Sequence, residues 1–417
     1  MKILLSAYAC EPGRGSEPGV GWHWAIELAR LGHEVAVITR SNNRFVIEKA
    51  LADAPIASLR FYYCDLPRWA TWWKRGNRGV YFYYWLWQHA AYRLAKHLTK
   101  TTQFDLVHHL TFTVFRQASY MGRLGLPFVV GPFGGGEVAP ALLRRALPLK
   151  AAIKERFRDV LNKLALLNPS LRTMLMQATV IFVKTPETLA ALPMASRGKC
   201  RLQMEVGVEP ERIKAQTFWT PTNVAFFYAG RLLCWKGLHL ALRAFAELHK
   251  ERPDSTFTIA GDGTDSGLLK ELADTLGLRN CVHWLGNIPH EQLRRYYNGH
   301  TAFVFPSLHD SGGTVILEAL SQALPVICLD AGGPGEILLP SCGVKVSVEN
   351  RSEEEVVADL KTAMRMLADN PELRARMGRR ALEFATECTW KKVVSGAYAH
   401  IEQSIGKARN MPIKPSE

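Results

Sequence analysis

The amino-acid sequence predicts an α/β protein of two domains, each a parallel sheet wrapped by helices. Three observations carry this. The chain has 417 residues, more than one hydrophobic core of ordinary size organises. Short apolar runs alternate with amphipathic helical patterns, the mark of successive strand–helix–strand units. The rhythm breaks once, at the polar stretch QTFWTPTN (216–223), and restarts at NVAFFYAG, so the linker is placed there.

In the first half the expected strands are 2–8, 34–39, 59–64, 105–110, 127–133 and 179–184. Amphipathic helices are expected between them at Trp22 to Leu31, Val80 to Lys100 and Val114 to Leu124. The second half repeats the pattern, with strands near 224–230, 255–260, 282–286, 301–305, 325–329 and 343–348, although no sequence repeat links the halves. After Asn350 three helices follow, at 352–368, 371–386 and 389–405. The domains are therefore set at 1–215 and 216–388, with a helix and tail over 389–417 expected to cross back to the first domain.

Hydrophobic residues make up 47% and charged residues 22%, a folded composition that excludes extensive disorder. The eight cysteines are scattered, with no CxxC pair and no Cys/His cluster at zinc spacing, and read as thiols of a reducing compartment. The opening MKILLSAYACEPG fits a buried first strand better than a signal peptide, because its apolar run ends by Glu11. No stretch reaches the roughly 18 apolar residues of a membrane span. A cytoplasmic protein is expected. Its net charge of +14 favours anionic partners: phosphates, acidic lipid or nucleic acid.

The glycines of EPGRGSEPGVGW (Gly13, Gly15, Gly19, Gly21) lead into a helix, where free backbone N–H groups meet an anion and glycine permits close approach. The spacing matches neither a dinucleotide fingerprint nor a P-loop, so the pattern fits a phosphate or sugar contact or a plain turn. Arg231 and Lys236 follow the strand NVAFFYAG, at the end of a strand where open α/β sheets bind ligands. Cations at a helix start are unfavourable without an anion, which points to a diphosphate. In PSLHDSGGTVILEAL, Asp310 precedes a glycine-opened helix start at Gly313, Thr314 and Val315, and Glu318 follows within the helix. Carboxylates there accept bonds from sugar hydroxyls while the amides receive phosphate.

The acid-x7-Glu segment with its downstream ALPVI, preceded by GRL-x3-KG, resembles the retaining glycosyltransferases of family 4. The resemblance extends to GSEPGVGW, DLVHHLTF (105–112) and GPFGGGE (131–137). It implies the GT-B fold, two Rossmann-like domains facing across a cleft, with the donor on the carboxy-terminal one and the acceptor on the other. It implies that Arg231 and Lys236 neutralise the donor diphosphate, that Glu318 binds the ribose, and that Asp310 binds a donor-sugar hydroxyl. Gly313, Thr314 and Val315 would supply amides, Gly19 and Gly21 would close over the phosphates, and the WLGNIP segment with Ile288 would pack near the base. Two departures stand out. The first acid is Asp310 where the family usually has Glu, and DLVHHL carries adjacent histidines where a His-x-His arrangement is common. Alternate strand residues face opposite ways, so one of His108 and His109 is expected in the cleft and the other in the core.

The implied reaction transfers a sugar from a UDP- or GDP-sugar to an acceptor hydroxyl with retention, in polysaccharide, lipopolysaccharide or glycolipid synthesis. No metal or other cofactor is expected. GDGTD (261–265) reads as a strand-to-helix turn with Asp265 near the helix cap. The acceptor is expected to be a glycan or lipid-linked glycan. Residues 66–104 lack any acid yet hold Arg68, Lys74, Arg75 and Arg78 among Trp69, Trp72, Trp73 and Trp85, and residues 142–176 are also strongly basic. Those stretches suit either an anionic membrane surface at the inner face of the cell membrane or a core with a solvated basic face. A hydrolase using Asp310 and Glu318 would leave the cations and the glycine-rich helix start without a task. An epimerase or a glycan phosphorylase on the same fold remains open. A basic nucleic-acid-binding protein accounts for the charge but not for the two acids, and no nucleic-acid module is present.

Overall fold

The computed structural model describes residues 1–74, 79–145, 147–213 and 224–409. Arg75, Arg78 and the linker 216–223 lie outside them. The chain divides into two compact units: Met1–Gly136 with Leu161–Glu205 and Trp390–Glu417, and Val206–Thr389 with Glu137–Val160. The sequence reading set Glu137–Val160 in the first domain. Its polar side chains bond to the second unit's own loops, as described below.

The first unit holds a seven-stranded parallel sheet in the order β3-β2-β1-β4-β5-β6-β7. Its strands are β1 (Lys2–Ser6), β2 (Glu34–Thr39), β3 (Leu59–Tyr63), β4 (Leu106–His109), β5 (Phe128–Phe133), β6 (Val180–Val183) and β7 (Cys200–Leu202). Central strands such as VIFV and FVVGPF are apolar throughout because helices cover both faces. The chain order reverses between β1 and β4, where Ser6 pairs with His109.

Three local expectations are revised here. The first helix begins at Ser16, not Trp22, so Gly19 and Gly21 are inside it and buried. Their hydrogens are needed by the fold itself: a Cβ on Gly21 would stand 2.1 Å from Ala9 O, and one on Gly19 2.2 Å from Arg14 O. The segment Val114 to Leu124 is a helix only over Met121–Leu124, as a 3₁₀ turn. Phe112 adopts a left-handed φ of 60° and Val114 bridges to Gly134, which fixes the chain in an irregular path whose Phe115 and Met121 are buried. The short edge strand β7 is an addition to the expected set.

The second unit holds a six-stranded parallel sheet ordered β10-β9-β8-β11-β12-β13. The strands are β8 (Ala225–Ala229), β9 (Thr256–Ala260), β10 (Val282–Gly286), β11 (Ala302–Phe305), β12 (Val326–Leu329) and β13 (Gly343–Val346). The helices Leu238–Glu251 and Glu353–Asp369 pack together, the latter opened by a reciprocal Ser352/Glu355 capping box. Here too the strand order reverses, between β8 and β11, and such a reversal opens a crevice beyond the strands' carboxyl ends. Each unit is thus a parallel sheet flanked by helices, a Rossmann-like α/β layer structure.

Candidate functional site

Two loops meet at the second unit's reversal point. Behind β8 the chain makes a single 3₁₀ turn, Cys234–Lys236, then enters the helix Leu238–Glu251 through Gly237. Behind β11 it runs from Pro306 to Gly313, the residue before the helix Thr314–Leu320. The loops are bound at four points. Leu308 N donates to Trp235 O at 2.9 Å, and Lys236 Nζ forms an ion pair with Asp310 Oδ2. The His309 ring stacks on Trp235 with centroids 4.7 Å apart and planes 15° from parallel. Gly237, at φ +70°, lies so close that a Cβ would stand 1.8 Å from Pro306 O.

Lys236 is buried, and its ammonium also lies 4.5 Å from the Trp235 ring centroid and 4.9 Å from that of Phe305. Arg231 is exposed, with its guanidinium 5.8 Å from the same Trp235 ring. The two cations thus share an indole, as the sequence grouped them. Asp265 is at the start of the helix Ser266–Thr275 but does not cap it. Its Oδ2 accepts from Cys234 N at 2.6 Å and holds the 3₁₀ turn instead.

Glu318 is five residues into its helix, half-buried, and engaged at both oxygens. Oε1 lies 2.7 Å from His290 Nε2, and Oε2 accepts from Tyr297 Oη at 2.9 Å. The Glu318 hydrogen bond raises the His290 pKa against the opposing effect of burial. Tyr297 is pushed well above the phenol range by burial and by the same carboxylate, and stays a donor. Ile288 is half-buried, two residues before His290, in the loop behind β10. Thr314 and Val315 form the first turn of the Glu318 helix and are half-buried. At Gly313 a Cβ would stand 2.4 Å from Ile337 Cδ1, the end of a side chain that would have to turn aside.

A further layer supports the Asp310 loop. Arg158 Nη1 donates to His309 Nδ1 at 2.8 Å and Nη2 donates to Glu137 O at 2.8 Å. Glu155 Oε2 lies 3.0 Å from His309 Nε2 and 3.1 Å from Arg158 Nη2. Burial opposes the Glu155 charge, but His309, Arg158 and Arg144 together hold its carboxyl below the usual range.

In the first unit both strand histidines are buried. His108 Nε2 donates to Gly131 O at 2.9 Å and its Nδ1 takes the Tyr398 hydroxyl at 3.0 Å. His109 lies between Tyr84 Oη, 2.7 Å from Nε2, and Ser6 Oγ, 3.1 Å from Nδ1. Burial lowers their pKa values to about 4 and about 3, so both are neutral rings. Alternation sends the two rings to opposite faces of the sheet, His108 against Tyr398 and His109 against Tyr84. Close by, Glu17 Oε1 accepts from Phe112 N at 3.1 Å, joining the first turn of the helix Ser16–Arg30 to the loop behind β4 at that sheet's reversal point. Burial raises its pKa.

Sequence reasoning missed His290, Tyr297, Trp235 and His309. Only HEQLRRYY, a histidine at a helix start after Pro289, carried a readable hint.

Residues 210–384 match the family described as Glycosyl transferases group 1. Glycogen synthase of Mycobacterium tuberculosis is 29% identical over 191 residues, which is 45% of this chain and 45% of that protein. Alpha-D-kanosaminyltransferase of Streptomyces kanamyceticus is 33% identical over 154 residues, 37% of this chain and 39% of that one. The chain thus spans less than half the length of these relatives. Among solved structures, sucrose-phosphate synthase from Thermosynechococcus elongatus aligns with a TM-score of 0.66 at 17% identity, covering 97% of this chain and 99% of its own. Anabaena HepE in complex with UDP and glucose aligns at 0.58 and 17%, covering 99% and 100%. These likenesses establish the GT-B fold.

Proposed function

We propose that the protein is a retaining glycosyltransferase that takes a nucleotide-sugar donor, a UDP- or GDP-sugar, on its second unit. The observation that carries this is the pairing of Lys236 with Asp310 where the sheet order reverses, beside the exposed Arg231 and the helix that bears Glu318. A lysine ammonium has three donors, so Lys236 can keep Asp310 while a phosphate oxygen joins it. Arg231 supplies the second positive charge. Glu318 is a ready acceptor for ribose hydroxyls, because His290 and Tyr297 fix its orientation and leave other lone pairs free. The match of residues 210–384 to group 1 glycosyl transferases supports the same reading.

In the reaction the bond between the sugar's anomeric carbon and the diphosphate oxygen breaks, and a bond to the acceptor oxygen forms on the same face. The acceptor proton passes to the departing phosphate oxygen. Arg231 and Lys236 stabilise the charge that grows there, which is the electrostatic part of catalysis and needs no metal in this account. The acceptor is a glycan or lipid-linked glycan of a cell-surface polysaccharide pathway.

The anomeric configuration of the first product formed, followed by NMR in the presence of donor and a hydroxyl acceptor, tests the proposal. Retention with no free sugar released is expected. Inversion, or hydrolysis that ignores the acceptor, would refute it.

A further inference from the structure

The helix Leu149–Ala165 turns its polarity inside out. Over residues 149–160, which belong to the second unit, the buried side is charged: Glu155 is 4% exposed and tied to Arg158 and His309. Asp159 on the same side pairs with Arg144 at 2.5 Å. The apolar side faces out, with Leu149 77%, Ile153 56%, Phe157 62% and Val160 51% exposed. At 3.6 residues per turn these four fall within about 80° of arc, a continuous stripe and not scattered residues. A surface helix of a globular protein shows the reverse arrangement, so the stripe requires something to cover it.

Charge identifies the cover. Lys150 and Lys154 flank the stripe on one side and Arg156 on the other, all exposed. Among the described residues of 137–160 the acids are Glu137 and Glu155, both buried, and Asp159, paired to Arg144. Beside the stripe an open hollow of about 440 Å³ is walled by Leu147 and Ile153 and rimmed by Arg145 and Arg156. A second copy would bring cations against cations. An anionic bilayer meets both demands, since its headgroups take the ammonium and guanidinium groups while the acyl boundary takes the apolar side chains.

We propose that the outward face of residues 149–160 docks the protein on an anionic lipid surface, with Ile153 and Phe157 entering the acyl boundary. The proposal does not depend on the transfer reaction. In the aromatic stretch 66–104, Tyr83, Tyr84 and Trp87 are buried under the first sheet, whereas Trp69, Trp72, Tyr81, Phe82 and Trp85 are exposed.

Sedimentation of the full chain with sucrose-loaded vesicles tests it. Vesicles of equal phosphatidylglycerol and phosphatidylcholine are expected to carry the protein down at low salt, at least about tenfold more than phosphatidylcholine alone, with release as salt rises. Ile153→Glu/Phe157→Glu lowers that partition about tenfold or more while melting temperature and UDP-sugar binding match wild type. Phe45→Glu, at a still more exposed apolar residue of the first unit, leaves it unchanged. Wild type that stays in the supernatant overturns the proposal, as does a double variant that binds equally well. A dimer that the double variant converts to monomer, without vesicle binding, assigns the stripe to a second copy and overturns it too.

Discussion

Glu318 is held from two sides: His290 Nε2 is 2.7 Å from one carboxylate oxygen and Tyr297 Oη is 2.9 Å from the other. The carboxylate is oriented by the protein's own side chains, so little rotamer freedom would be lost on accepting the ribose hydroxyl proposed for it. Its partners come from the helix His290–Tyr297, which follows β10 on the far side of the sheet from β11.

The first test is the titration of His290. Its folded pKa is raised, so the pair stabilises the fold fully below the ordinary value of about 6.5 and loses that contribution as pH rises through the raised value. Histidine NMR titration of Glu318→Gln is expected to bring the His290 midpoint down. An unchanged midpoint would disconnect the two residues.

Acid stability probes the other pair of histidines. The folded pKa values of His108 and His109 are depressed, so the unfolded chain binds more protons below about pH 6.5. Stability should fall as pH drops through that point and level near the depressed values. At pH 5 the loss is on the order of 2 kcal/mol for each ring. Denaturant melts at pH 7 and pH 5 measure it, and the variant His108→Gln/His109→Gln should give a flatter profile.

Gly237→Ala combines a left-handed φ with a Cβ that would stand 1.8 Å from Pro306 O. It is expected to cost more than about 2 kcal/mol and to weaken donor binding, because the loops bearing Lys236 and Asp310 must part. Gly277→Ala shares the left-handed φ with nothing within 4 Å, and should cost only about 1 kcal/mol. Equal costs in the two melts would remove the close contact from the account.

Lys236→Gln should fold and lose about 10²- to 10³-fold in kcat, the scale of one electrostatic donor at the leaving group. Asp310→Asn leaves the buried ammonium without its counter-ion. Since Asp310 is itself 22% exposed, a stability loss of about 1–3 kcal/mol is expected, below that of a fully buried pair. Steady-state kinetics beside thermal melts separate the two effects.

Much of this was legible in the sequence because period-two and period-3.6 patterns respond to burial. Val35 to Ile38 and Phe226 to Ala229 are apolar runs since each strand is covered on both faces. The edge strand β7 was invisible: Arg201 and Leu202 are exposed, so no apolar run marks it. Val114 to Leu124 misled because its apolar spacing reflects burial under an irregular path. At the site, Arg231, Lys236 and Asp310 could be named from the loops they occupy, and Glu318 from the helix that follows. The support of the Asp310 loop could not, because Glu155 and Arg158 reach His309 across 154 and 151 positions of sequence, a closeness that only folding creates.

Isothermal titration of the full chain with UDP- and GDP-sugars, repeated on Glu318→Ala, tests the central claim most directly. One donor should bind wild type, and the variant should lose at least about tenfold in affinity, the worth of one or two charge-assisted hydrogen bonds to ribose. No heat with any donor, or equal affinity in the variant, would contradict a nucleotide-sugar site on the second unit.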